Sequence, residues 1–217
     1  MDRVPVRMAW GILLILLGVL FLLQIYGVIP TDLGWIWALL FAVAGIVFLY
    51  VFFANHVVYW WAIIPAFTLL GLAVTVALAL VGEALAPLGG TVFLGAIGLS
   101  FLVVYLNNRL YWWAIIPAGS LLTLAVVAVL GVYWQGAGPE IGAIFFLGLG
   151  LTFLLLYFVP TEQGQLRWAV IPAIVLLTLA LVVVATTGRA AGFVLPLVLI
   201  ALGLWLLLRG NVLRRGV

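Results

Sequence analysis

Apolar residues fill this chain in eight blocks of about twenty, parted by short clusters of Gly, Pro, Asn, Asp and Thr. The blocks run over 8–29, 35–54, 60–81, 88–106, 112–133, 141–159, 168–187 and 190–208. About twenty apolar residues in a helix cross the hydrocarbon core of a bilayer. In lipid every backbone N–H and C=O must find a partner inside the protein, so continuous runs of this length predict helices. The connectors hold Pro30-Thr31-Asp32, Gly82-Glu83, Asn107-Asn108, Gly136-Ala137-Gly138-Pro139, Pro160-Thr161 and Gly188. Connectors this short make neighbouring helices antiparallel. The expected fold is an all-α integral membrane protein of eight transmembrane helices, forming a single membrane domain over 1–217.

The blocks repeat. WWAIIPA stands at 60–66 and again at 112–118, and WAVIPA at 168–173. Pro65, Pro117 and Pro172 are 52 and 55 residues apart, and a weaker copy starts at Trp10, 51 residues before Trp61. Gly45, Gly98, Gly150 and Gly203 follow at intervals of 53, 52 and 53, with Phe48, Phe101, Phe153 and Leu206 three positions on. These periods predict four tandem helical-hairpin repeats of about 52 residues, over 8–54, 60–106, 112–159 and 168–208. A repeat with an even number of helices keeps its orientation, so the copies are parallel and differ from the inverted pairs of many alternating-access transporters.

Small residues recur on one helix face. Ala62, Ala66 and Ala73 are matched by Ala114, Ala118 and Ala125 and by Ala169, Ala173 and Ala180. Offsets of 4 and 11 residues return to one face at 3.6 residues per turn. Gly11 and Gly18 make a similar stripe, and Ala38, Thr91, Ala143 and Pro196 stand seven before the repeated glycines. Lipid is as apolar as leucine, so helices associate through close backbone approach at small residues. These alanines, with Gly98 and Gly150, are the expected helix-packing positions. Pro65, Pro117 and Pro172 fall four or five residues from the Trp boundary. If each helix starts at the Trp, the proline closes a first turn whose N–H groups lack intrahelical partners. The other reading is a kink opening a cavity, with Thr68 and Ser120 satisfying freed carbonyls.

Composition and charge then set class and orientation. The chain is 69% hydrophobic and 6% charged, against roughly 25% charged in soluble domains. All eight basic residues are arginine, and cysteine is absent. Too few cations cluster for a nucleic-acid face, and thiolate chemistry is excluded. With eight helices, Arg3, Arg7, Arg109, Arg167, Arg209, Arg214 and Arg215 share one side, while Arg189 lies opposite with Asp32, Glu83 and Glu140. The positive-inside rule then predicts both termini in the cytoplasm. Trp10, Trp60, Trp61, Trp112, Trp113, Trp168 and Trp205 belt the cytoplasmic boundary, and Trp35, Trp37 and Trp134 the other. Arg3 and Arg7 before an apolar run suggest a signal peptide, but the run at 8–29 exceeds the usual 7–15 and lacks an Ala-x-Ala exit, which predicts a retained helix.

Candidate chemistry is sparse. No acid, base or Lys is expected near a helix centre, which argues against a pump or ion-coupled carrier. His56, the only histidine, falls in a loop and reads as a surface group, so neither a Ser/His/Asp set nor a haem ligand can be built. Asp32, Glu83 and Glu140 either end helices or form an acidic rim for a divalent cation; the first reading is the simpler. Gln24 is either interhelical glue or a residue of the outer interface, and the second reading is preferred. No catalytic, cofactor-binding or metal-binding residue is expected, and no cofactor.

The segment WGILLILLGVLFLLQIYGVI (10–29), a short turn, and WIWALLFAVAGIVFLYVFF (35–53) resemble the LiaI/LiaF-type transmembrane region of bacterial envelope proteins. LPLVLIALGLWLLL (195–208) is similar to its second helix. The resemblance implies a multi-pass protein of the bacterial cytoplasmic (inner) membrane, in some members tied to envelope-stress sensing. The chain departs from that family in multiplying the hairpin, and the soluble C-terminal domain of the larger members is not expected within 1–217. The function expected is a non-enzymatic scaffold, regulator or accessory subunit acting through lateral helix contacts. Its partners would be membrane lipids and a membrane protein or a second copy of itself, with no nucleic acid. The alternative is a channel or carrier for an uncharged or lipid-like molecule.

Overall fold

The computed structural model describes residues 34–134, 138–161 and 164–186, with single positions at 15, 18, 19, 22, 23, 26 and 200. Apart from those single positions, the expected spans at 8–29 and 190–208 lie outside the described residues. Six α-helices are described: α1 (Gly34–Ala54), α2 (Ile63–Val81), α3 (Gly89–Asn107), α4 (Ile115–Tyr133), α5 (Gly138–Phe158) and α6 (Val170–Thr186). With their leading turns, six segments are long and apolar enough to cross a membrane. The chain is a polytopic membrane protein.

Helix packing follows chain order: α1 on α2, α2 on α3, α3 on α4, α4 on α5 and α5 on α6. Helices further apart in the chain share no comparable contact among the described residues. Among the described residues the result is an open antiparallel array and not a bundle closed around a centre. Large apolar side chains are accordingly exposed along the helices, among them Leu39, Ile46, Val126, Leu155, Ile171 and Leu181. In water such a surface would be an aggregation hazard; in lipid it is the solvated face.

The array has two unlike ends. At one end, called here the motif end, the tryptophans of the repeated phrase form short 3-10 turns at Trp60–Ala62, Trp112–Ala114 and Arg167–Ala169. The N–H groups of Ala62, Ala114 and Ala169 donate to the carbonyls of Tyr59, Tyr111 and Leu166 at 2.9–3.0 Å. Each α-helix proper starts one residue later, so the tryptophans precede the helix and do not open it. Pro65, Pro117 and Pro172 each take its third position. There the missing N–H costs nothing, since a first-turn donor has no intrahelical acceptor. Asn side chains tie two of the motif-end loops. Asn55 Oδ1 accepts from the Val58 N–H at 3.2 Å, and Asn108 Oδ1 from the Leu110 N–H at 2.9 Å. The third loop turns through Gly164 at φ +90°, a conformation glycine adopts without steric cost.

The opposite, far end holds the α2–α3 and α4–α5 links. Pro87 sits in the 3-10 turn Ala86–Leu88, which leads straight into α3. Glu140 lies in the first turn of α5, where a carboxylate interacts favourably with the helix dipole.

Candidate functional site

The site a membrane array offers is its set of seams and the surfaces they leave open. Seams across the motif-end turns repeat with the sequence. A Cβ added at Gly45 would lie 2.8 Å from Leu70 Cγ and 3.1 Å from the Ala66 carbonyl oxygen. At Gly98 it would lie 2.9 Å from Leu122 Cγ and 3.1 Å from the Leu122 backbone nitrogen, and at Gly150 2.8 Å from Leu177 Cγ and 3.2 Å from the Leu177 nitrogen. Leu70, Leu122 and Leu177 each stand five residues past the motif proline. In each seam the glycine lets a partner leucine and its backbone come to contact distance.

The alanine stripe lies in the same packing. Ala62, Ala66, Ala114 and Ala169 are 0% exposed, and Ala73, Ala118, Ala125, Ala173 and Ala180 are also buried. Ile63 and Val104 pack with Ala62, Ala114 and Phe52 in one buried cluster at the motif end. Leu156, Leu166 and Ala169 make a second.

The two tryptophans of the repeated phrase contact different parts of the array. The second one packs edge-on against the Phe three residues beyond the seam glycine: Phe48–Trp61, Phe101–Trp113 and Phe153–Trp168 all have ring centroids 6.2 Å apart, at interplanar angles of 71°, 75° and 72°. Edge-to-face rings at this separation attract through their quadrupoles. The first reaches the next copy of the motif. Trp60 lies 4.7 Å from the Tyr111 ring and 6.3 Å from Trp113, and Trp112 packs on the cluster of Leu156, Leu166 and Ala169. Arg167 occupies this place in the third copy and is exposed.

Seams across the far-end turns use hydroxyls that sequence reasoning overlooked. Thr75 Oγ1 lies 2.8 Å from the Gly71 carbonyl oxygen and 2.9 Å from that of Gly89, bridging α2 to α3. Gly71 faces Ala96, while in the α4–α5 seam Thr123 faces Gly148 and Thr152 faces Gly119. Ser100 and Thr152, two residues past their seam glycines, are buried and donate to the carbonyls of Ile97 and Gly148 at 2.6 and 2.8 Å. Thr68 donates to the Ile64 carbonyl at 2.8 Å, while the Trp61 carbonyl accepts from the Ile63 N–H. The buried Thr91 hydroxyl has no partner among the described residues.

The described charged groups stay at the ends. The Arg109 guanidinium carbon lies 4.5 Å above the Tyr105 ring, a cation–π contact at the motif end. The backbone carbonyl of His56, in the preceding motif-end loop, accepts from Asn107 Nδ2 at 3.0 Å. Glu83 is exposed and Glu140 half-buried at the far end. Among the described residues no three His, Asp or Glu side chains come together. Asp32 and Gln24 lie outside the described residues.

No family model, curated protein or solved structure matches the chain.

Proposed function

We propose that this protein is a non-enzymatic membrane scaffold, regulator or accessory subunit that works by lateral contact, built from tandem copies of one helical hairpin. The observation that carries the reading is the open, chain-ordered packing. The six described spans touch their sequence neighbours and surround no common centre, and large apolar side chains stay exposed along them for contact with other membrane components. Polar groups at depth serve seams. Thr68, Thr75, Ser100 and Thr152 each donate to a carbonyl of their own helix, which spends the single O–H donor of each within the fold and not on a solute path. Site-specific photo-crosslinking in native membranes tests this. A photoreactive residue at exposed Leu39, Leu155 or Ile171 should yield discrete protein adducts, and one at buried Ala118 should not. Lipid adducts alone from all three exposed positions would reject lateral association.

A further inference from the structure

Two clefts open in the far half of the array, and they occupy equivalent places. One lies between α1 and α2, about 460 Å³ in volume, lined by Trp35, Ala38, Leu39, Ala73, Val74 and Ala77 among others. The other lies between α5 and α6, about 450 Å³, lined by Trp134, Glu140, Ala143, Leu147, Ala180 and Leu181 among others. Ala38 and Ala143 both stand seven residues before a seam glycine, and Ala73 and Ala180 eight residues after a motif proline. Small side chains meeting across a seam leave a trough that the larger flanking residues wall in. Both volumes fall in the range of small-molecule sites, about 300–1,000 Å³. Leu39, Val74, Leu147 and Leu181 are exposed at the cleft walls, so in a bilayer each trough meets acyl chains directly.

The clefts differ in charge at one position. Ten residues before the seam glycine stands Trp35 in the first and Glu140 in the second. Glu140 is half-buried, on the wall of an otherwise apolar trough, and makes no hydrogen bond or ion pair with any described residue. The same cleft is lined by the exposed Trp134, a residue type that settles at the headgroup level. A carboxylate at the edge of hydrocarbon is best matched by a cation that also donates hydrogen bonds. We propose that the α5–α6 cleft holds an acyl chain of a phospholipid whose primary ammonium headgroup pairs with Glu140, making it a site for ethanolamine phospholipid. The α1–α2 cleft takes a chain without choosing the headgroup. This assignment stands apart from the lateral-association reading, since a protein that moved solute could carry the same lipid.

The test is native mass spectrometry of the purified full chain, offered equal amounts of phosphatidylethanolamine and phosphatidylglycerol with identical acyl chains. Wild-type protein should retain the ethanolamine lipid about two- to fivefold over the glycerol lipid, the span of a partly exposed ion pair. Glu140→Gln should bring the ratio to near one. Trp35→Glu, which leaves the α5–α6 cleft untouched, should add a second selective site and raise the ratio above wild type. Leu181→Trp, at an exposed wall position, should lower bound ethanolamine lipid by filling the trough. Equal retention of both lipids by wild type overturns the assignment, and so does a preference that survives Glu140→Gln.

Discussion

Two glycines three residues apart on α3 should respond to the same substitution with opposite sign. A Cβ at Gly98 would sit 2.9 Å from Leu122 Cγ, 3.1 Å from the Leu122 nitrogen and 3.2 Å from Leu121 Cβ. The leucine side chain can rotate away, but the backbone nitrogen belongs to a helix and moves only if α4 moves. Forcing atoms into a packed contact typically costs about 1–3 kcal/mol. Replacing a helical glycine by alanine returns about 1 kcal/mol of propensity, so Gly98→Ala should be destabilising by up to about 2 kcal/mol. At Gly95 the added Cβ would meet only Ala125 Cβ, at 3.8 Å, an ordinary contact. Gly95→Ala should therefore keep the propensity gain and be stabilising by about 0.5–1 kcal/mol. Gly98→Leu and Gly150→Leu should be worse than Gly98→Ala, because the longer side chain cannot be absorbed by one leucine. Thermal unfolding in a single detergent, followed by loss of native fluorescence, compares the variants directly. Equal shifts for Gly95→Ala and Gly98→Ala, or a more stable Gly98→Leu, would refute a tight α3–α4 seam.

Further outcomes follow from other contacts. Trp60→Ala removes the rings packed on Tyr111 and Trp113 and should be destabilising by about 1–2 kcal/mol in the same melt; Arg167→Ala, at the matching but exposed position, should stay within about 0.5 kcal/mol. A double-mutant cycle on Phe101 and Trp113 should give a coupling of about 0.5–1.5 kcal/mol, and zero coupling would reduce the recurring Phe–Trp geometry to coincidence. Thr75→Val should be destabilising by about 0.6 kcal/mol, the average for an interhelical hydroxyl in a membrane, and hydrogen exchange at the start of α3 should speed up. For topology, Leu110→Cys at the motif end and Glu83→Cys at the far end should react with impermeant maleimide from opposite sides, the first from the cytoplasm; reaction of both from one side would contradict the antiparallel array.

Much of the architecture was legible because lipid allows few choices. Six of the eight apolar runs are helices among the described residues, and these begin and end within three residues of the expected bounds. The spacing of Gly45, Gly98 and Gly150 pointed at equivalent surroundings, and each glycine meets a leucine five residues beyond a motif proline. Other features left weaker traces. The Phe at the third position past each glycine was visible as a recurrence, but its partner lies across a turn, on the tryptophan of the following motif copy. Nothing in a one-dimensional pattern separates the two tryptophans of WWAIIPA, although one holds its own seam and the other the next copy. Ser100 and Thr152 escaped notice because a hydroxyl that bonds a carbonyl of its own helix needs no companion in the sequence. The lateral clefts depend on how far two helices diverge beyond their glycine contact, which composition does not encode.

The central claim is that this protein meets its partners along its flanks and does not conduct solute. Purified protein in sealed liposomes, tested for flux of protons, monovalent ions, glycerol and small sugars, addresses it most directly. The account predicts rates equal to those of protein-free liposomes at every protein density. Saturable flux of any one solute, lost in Ser100→Val or Thr152→Val protein that still melts like wild type, would contradict it and make the buried hydroxyls the lining of a path.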